Sequence, residues 1–239
     1  MGNYTEISPF YDLIMQSGYY DYDKIATALS AHDDARTSVL EIGVGTGLIL
    51  EELAARRPGL TITGIDLTSA MLDIAAKRLE PFPQITLRLL DVVTMRLPES
   101  FQLAFSYGGV WYFVPSEVHG QFTMISHIRD EQANRQGLEK VVEHLAPGGT
   151  LLLGIQSPHT DYVRSIGDRY EYAQHIVPID GGFRKRYSLT ESGTTVMEQA
   201  TDYRIYPFDE ALELLDKCGL EYRPATDAQA PLFLEFVKR

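Results

Sequence analysis

The chain has 239 residues, 44% of them hydrophobic, enough for one large α/β domain or a domain with an appendage. It carries 21 Lys and Arg against 33 Asp and Glu, a formal net charge of -12, which opposes a groove that follows a phosphate backbone. No apolar run is long enough to span a bilayer, and the single Cys218 cannot close an intrachain disulfide.

The N-terminus is polar and acidic, with no signal-peptide pattern. Met1-Gly2 begins like a myristoylation site, but Glu6 stands where Ser or Thr belongs. A reducing, cytoplasmic setting is expected.

Residues 1–20 are rich in aromatics, among them Tyr4, Phe10, Tyr11, Tyr19 and Tyr20. The spacing of Ile25 and Leu29 predicts a short helix over 22–29, and 31–37 reads as a polar link. Residues 39–42 are an apolar run that predicts a strand. Three alternating glycines follow, then a helix over 48–55 with Ile49, Leu50 and Leu53 inward, stopped by Pro58-Gly59. A second strand, 61–66, ends in Asp66. Thr68 or Ser69 can cap the next helix, whose apolar face is Met71, Leu72, Ile74 and Ala75 and which Pro81 ends. A third strand, 85–90, runs into Asp91, and a fourth, 103–106, ends at Ser106. The stretch 107–134 exceeds a usual crossover loop and is expected to hold a short helix over 118–128. A helix over 136–145 carries Leu138, Val141, Val142 and Leu145 at helical spacing. Pro147-Gly148-Gly149 then turns into a strand over 150–155.

From 156 the period changes. Residues 169–179 read as extended, 180–182 as a turn, and 183–189 as a strand with Phe183, Tyr187 and Leu189 on one side. A second turn, 191–193, precedes 194–206, where Met197, Tyr203 and Ile205 align. This predicts an antiparallel meander inserted into the main fold. A helix over 208–217 stops at Gly219, and strands follow at 220–223 and 232–238. The expected organisation is an N-terminal helical cap (1–37), a core (38–155 and 207–239) and a substrate-cover meander (156–206). Strands alternating with helices require a mostly parallel, doubly wound sheet, which binds ligands at the carboxyl ends of its strands.

Gly43, Gly45 and Gly47, Asp66, Asp91 and Ser106 all fall at such ends. Glycine tolerates positive φ and lets backbone N–H groups approach a ligand at a helix N-terminus. Asp66, about twenty residues beyond the turn, can bind both hydroxyls of a ribose or be a solvated strand-end acid. Asp91 can accept from an adenine amino group, beside the Val92 backbone N–H, or cap a turn. Leu67 and Met71 can sandwich a ring or pack the core. A dinucleotide turn would need glycine where Leu48 stands, and no Gly-Lys-Ser/Thr of a P-loop is present.

The pattern E-x-G-x-G-x-G formed by Glu41, Gly43, Gly45 and Gly47 resembles the first motif of the class I S-adenosylmethionine-dependent methyltransferases. Asp66 matches that family's ribose acid. Leu90-Asp91-Val92 resembles its adenine motif, and Leu145-Ala146-Pro147-Gly148-Gly149-Thr150-Leu151 its post-helix turn. The resemblance covers 39–155 and resumes from 208. It implies S-adenosyl-L-methionine as cofactor and a Rossmann-like seven-stranded sheet whose last strand, 232–238, is antiparallel. It further implies that Glu41 and the glycine backbone hold the aminoacyl end, that Ser106 faces the methionine part, and that Phe10-Tyr11-Asp12 places Tyr11 over the cofactor.

Methyl transfer is an in-line displacement at a sulfonium, so the site mainly needs alignment and exclusion of water. Tyr19, Tyr22, Trp111 and Tyr112 are the expected substrate wall, with Phe113 beside them, and Tyr107 and Tyr20 the expected catalytic residues. His127, His159 and His175 are candidate bases, none in a recognisable dyad. No cluster of acids and amides after the fifth strand suggests a metal. Arg184-Lys185-Arg186 reads as a solvated strand face, and Cys218 as core. The resulting expectation is a methyltransferase of the small-molecule, secondary-metabolism kind. It would act on N, C or O of an aromatic or amine-bearing metabolite, without nucleic-acid or membrane partners and with a homodimer left open. A protein or RNA methyltransferase, or a non-catalytic cofactor-binding protein of the same fold, are the alternatives.

Overall fold

The apolar run before the glycines is a strand buried along nearly its whole length, and the rest of the molecule is laid out around it. The structure, a computed structural model, describes residues 4–32, 38–118, 121–224 and 232–239. Met1-Gly2 and most of the polar link, 33–37, lie outside the described residues. A 3₁₀ turn (Ser8–Phe10) leads into α1 (Tyr11–Gln16) and α2 (Tyr22–Ala31). Then come β1 (Ser38–Ile42), α3 (Leu48–Arg56), β2 (Thr61–Asp66), α4 (Ser69–Arg78), β3 (Ile85–Leu89), β4 (Phe101–Ser106), β5 (Trp111–Pro115) and β6 (Phe122–Ser126). These are followed by α5 (Glu131–His144), β7 (Leu145–Gly154), β8 (Tyr162–Ile166), β9 (Tyr170–Ile179), β10 (Gly182–Glu191), β11 (Thr194–Pro207), α6 (Phe208–Lys217), β12 (Leu220–Arg223) and β13 (Phe233–Lys238).

Seven strands form the main sheet in the order β12-β13-β7-β4-β1-β2-β3. β1 pairs in parallel with β2 and β4, β2 with β3, and β4 with β7, whereas β13 runs antiparallel to both β7 and β12. The expected antiparallel last strand is therefore present. Helices cover both faces, as a mostly parallel sheet requires. Strand order reverses at β1/β4, and the crevice at the carboxyl ends opens there.

The expected helix over 118–128 is absent. Among the described residues of that stretch, 122–126 form β6, antiparallel to β5. The segment is apolar on both faces and carries no two-residue alternation, so its period could not distinguish buried strand from helix. β5 and β6 join β11, β10, β9 and β8 in a second, six-stranded sheet. That sheet is thus built from two stretches of chain, not from the 156–206 meander alone. Gln156 N donates to Phe113 O at 2.8 Å and ties β5 to the carboxyl end of β7, hinging the two sheets together.

Two elements begin earlier than their spacing predicts. Asp130 caps α5 by accepting from Ala133 N at 2.7 Å, so the helix starts at Glu131 instead of near 136. β7 starts at Leu145 and absorbs the Pro147-Gly148-Gly149 turn. The cap is fixed at both ends. Asp12 accepts from Thr46 Oγ1 at 2.6 Å and from Arg78, and Arg164 on β8 donates to Ile14 O at 2.9 Å and Ser17 Oγ at 2.6 Å. No helix among the described residues is long and apolar enough to cross a membrane.

Candidate active site

The three glycines all adopt positive φ, +80° at Gly43, +55° at Gly45 and +83° at Gly47. Their use is steric. A Cβ on Gly43 would lie 2.7 Å from Gly109 Cα, and one on Gly109 would lie 2.2 Å from Ile42 O, so the β1 and β4 loops touch backbone to backbone. The expectation that their N–H groups face a ligand is corrected for this turn. Gly43 N and Val44 N donate to Ile65 O at 2.9 and 3.0 Å, Gly45 N to Asp66 Oδ2 at 2.8 Å, and Gly47 N to Val44 O at 3.0 Å. The turn closes on the end of β2, and the Tyr11 ring covers Gly45.

Two adjoining cavities open from this turn. The larger takes in about 940 Å³ between the sheets and the cap, part of it open to solvent. Its first wall carries Gly43, Gly45, Asp66, Leu67, Met71 and Val92; its second carries Tyr112, His127, His159, Lys185, Tyr187 and Tyr203. The smaller, about 320 Å³, is lined by Tyr22, Glu41, Gly43, Tyr107 and Gly108 among others. Tyr11 and Tyr20 line both.

The expected site residues divide accordingly. Tyr19, Tyr20 and Tyr112 reach the larger cavity, and Tyr22 and Tyr107 the smaller. Trp111 does not: successive strand residues face opposite ways, so Tyr112 looks into the chamber while Trp111 is buried beneath α5. Its Nε1 donates to Asn134 Oδ1 at 2.8 Å, and its ring fills the space over Gly137. Ser106 is also fully buried and outside both linings. Its Oγ accepts from Val110 N at 3.1 Å and shapes the β4 loop. Gly47 stands behind the wall against Leu79. Asp91 lies between two cavity residues, Leu90 and Val92, but its Oδ1 accepts from Val93 N at 2.9 Å, the geometry of a turn cap.

A family model described as a methyltransferase domain matches residues 39–127. That stretch runs from β1 to just past β6 and holds the glycine turn, Asp66 and the β4 loop. Residues 39–127 thus match a methyltransferase domain, and the sheet around them has the fold of the class I S-adenosylmethionine-dependent methyltransferases. Among solved structures, this chain is similar to Streptomyces venezuelae DesVI, with 19% identity, TM-score 0.72 and 97% of each chain covered. It is also similar to the amino pentose methyltransferase CalS10 of Micromonospora echinaspora, with 17% identity, TM-score 0.71 and 96% of each chain covered. A curated relative is the malonyl-[acyl-carrier protein] O-methyltransferase of Bacillus cereus. It is 25% identical over 170 residues, which is 63% of this chain and 56% of the relative. The counterpart from Priestia megaterium is 22% identical over 80% of this chain and 62% of the relative. The chain thus spans less than two thirds of the length of either relative.

The residues present fit the cofactor of the class. Glu41 is only 2% exposed, and its Oε2 has no hydrogen-bond partner among the described residues. It stands in the smaller cavity, where an ammonium such as that of a methionine chain would complete it. Burial first, and then the nearby Asp66, push its carboxyl well above the ordinary range. Burial likewise raises Asp66, opposed by hydrogen bonds that include those from Thr68 and Gly45.

Two residues of the site were missed in the sequence. Gln156 is buried at the head of the chamber, accepting from Tyr20 OH at 2.8 Å through Oε1, with Nε2 lacking a partner. Nothing local marks it. Lys185 is 1% exposed, which corrects the solvated-face reading of Arg184-Lys185-Arg186. The signal was available: Phe183, Lys185, Tyr187 and Leu189 share one two-residue period, so the strand that buries Tyr187 buries Lys185 too. His127 and His159 reach the chamber, while His175 is exposed and bonded to Asp161. Burial first, and then Lys185, hold His127 down to about 3 and His159 to about 2, so both rings are neutral.

Proposed function

We propose that this methyltransferase transfers a methyl group from S-adenosylmethionine to N, C or O of a small aromatic or amine-bearing metabolite held between the two sheets. The observation that carries this reading is the aromatic chamber that begins at the glycine turn and is closed by the cap and the second sheet. A recessed, aromatic-lined chamber suits a small acceptor better than a protein or RNA strand. When bound, the cofactor supplies an electrophilic methyl carbon on a sulfonium.

The chain's own residues then have separable tasks. Asp66 offers acceptors to a ribose diol, and Leu67, Met71 and Val92 supply apolar contact for a base. Glu41 takes the aminoacyl end. Tyr11, held through its neighbour Asp12 against Thr46 and Arg78, excludes water above the turn. Tyr20 sits where the cavities meet. Burial raises its phenol well above the ordinary value, so it stays protonated and works by position, donating to Gln156. Tyr107 donates to Ile155 O at 3.3 Å and is pushed up to about 12 by burial.

The test is a screen of small amines, phenols and acids, beside bulk protein and RNA, with methyl-labelled donor. Label confined to small acceptors is expected; label in the macromolecules alone would overturn the reading. With an acceptor in hand, Tyr20→Phe should lower kcat about tenfold or more with little change in donor Kd, because Gln156 loses its anchor. Tyr107→Phe should cost less than Tyr20→Phe. The reverse order would move the chemistry toward Tyr107.

Glu41 gives a second check. Its raised carboxyl is protonated below its folded value and ionises when an ammonium docks beside it. Donor affinity should therefore fall as pH falls through that value. Titration of S-adenosylhomocysteine in buffers of different ionisation enthalpy, over a series of descending pH values, should show proton release below that folded value. Glu41→Gln should abolish that release and weaken binding by about tenfold. Equal proton release in the variant would remove Glu41 from the aminoacyl site.

A further inference from the structure

The second wall of the chamber contains one cation and nothing to neutralise it. Lys185 Nζ donates to Tyr19 OH at 2.7 Å and to His159 Nδ1 at 3.3 Å, and it lies 4.9 Å from the centroid of the Tyr187 ring. All of these partners are neutral. An ammonium has three hydrogens, so one remains beyond these two bonds. No carboxylate pairs with Lys185 among the described residues, although the chain carries 33 acids. The only other charged side chain on the cavity wall among the described residues is Asp66, on the opposite sheet. Its oxygens already accept from Gly45 N and Thr68 N.

The remaining polar groups at this end are donors, rotatable hydroxyls and the neutral His127 ring, whose Nδ1 lies 3.4 Å from Tyr4 OH. His159 Nε2, its Nδ1 taken by Lys185, donates to Tyr112 OH at 2.7 Å. Tyr187 OH lies 2.6 Å from Tyr203 OH, which lies 3.0 Å from Tyr4 OH. The unpartnered Gln156 Nε2 adds one more buried donor on the same cavity. A buried ammonium without a counter-ion is costly, and a site with this inventory lacks an acceptor-rich anion. The cofactor's own carboxylate does not supply it, because the aminoacyl end belongs with Glu41 in the smaller cavity, which Lys185 does not line. A single cation matches a single negative charge, which favours a carboxylate over a phosphate dianion.

We propose that the acceptor is a carboxylate-bearing small molecule whose acid group is held by Lys185, with Tyr19 and His159 fixing the ammonium. This rests on the small-molecule methyltransferase reading and narrows its substrate class. It also sets a polarity: the acid end lies on the second sheet, and the methyl-accepting atom points back toward Tyr20 and the glycine turn. A purely cationic amine is disfavoured, because its charge would meet that of Lys185.

The experiment uses protein saturated with S-adenosylhomocysteine at about pH 6. Benzoate, 4-hydroxybenzoate and 4-aminobenzoate are titrated in parallel with their neutral primary amides. The acids should bind the wild type at least about tenfold more tightly than the amides, the scale of a charge-assisted hydrogen bond. Lys185→Met should bring each pair within about twofold and leave S-adenosylhomocysteine affinity unchanged. Amides binding as well as acids, acid preference surviving in Lys185→Met, or no acid binding at about 10 mM would each overturn the proposal. Should the variant not fold, the wild-type acid-to-amide ratio decides alone. Loss of S-adenosylhomocysteine binding by the wild type would instead sink the underlying reading, so the two failures are distinguishable.

Discussion

Asp66→Ala is expected to weaken S-adenosylhomocysteine binding by about a hundredfold or more. A carboxylate at the end of β2 can accept from two ribose hydroxyls, and hydrogen bonds to a charged acceptor contribute about 1.5–3 kcal/mol each. Two such bonds reach that loss. The same substitution frees Gly45 N and Thr68 N, which Asp66 now holds at 2.8 Å each, so the glycine turn loosens as well. Asp66→Asn separates the two effects. The amide oxygen retains one backbone bond and one ligand bond, while the –NH₂ group would face a donor. A loss of about tenfold is expected, with a smaller drop in the thermal midpoint of the free protein than in Asp66→Ala, because one backbone bond is kept. Calorimetry on both variants gives the comparison. Unchanged affinity in Asp66→Ala would take the nucleoside away from β2; a lowered midpoint with unchanged affinity would reduce Asp66 to a strut for the turn.

How much of this was legible follows from where the period was clean. Strands β1, β2 and β4 were readable because short apolar runs end abruptly in Gly, Asp or Ser, and their helices because caps and prolines mark the boundaries. Those elements carry Glu41, Asp66 and the glycines. The second sheet was legible only in its half-exposed strands. β9 and β10 alternate, because one face meets water. β5 and β6 are buried on both faces, so Trp111 to Val114 and Phe122 to Ile125 read as featureless apolar runs. That is why Trp111 and Tyr112 were assigned to one wall when they face opposite ways. Asp91 shows a further limit. A carboxylate two residues before a free backbone N–H has a local partner, and the sequence alone does not weigh that bond against one to a ligand.

Lys185 was hidden by its neighbours. Arg184 and Arg186 are exposed, and Arg184 pairs with Asp202 on β11. A basic triplet on a strand must send its middle member the other way, and here that direction is the chamber. The consequence is a stability signature. Burial lowers the Lys185 ammonium from the ordinary lysine range to about 7. Between about pH 7 and about pH 10 the unfolded chain holds a proton that the folded chain lacks, so stability rises with pH across that window. Below about 7 both states are protonated, and the full penalty of the buried charge persists. The expected rise is about 4 kcal/mol, or roughly 8–16 °C in thermal midpoint for a chain of this size. Lys185→Met should lack it. The variant also loses the bonds to Tyr19 and His159, about 1–2 kcal/mol, but that loss is independent of pH. The readout is therefore the difference in slope between variant and wild type, not the offset. Groups facing the ammonium do not mimic this slope. Burial raises Tyr19 and Tyr187, so their slope has the opposite sign and begins only near pH 10, and the lowered His127 and His159 act only below about pH 7, alike in variant and wild type. Parallel midpoint curves from about pH 6 to about pH 10 would show that the ammonium has a counter-charge or water in solution, and the case for an acidic acceptor would lose its physical basis.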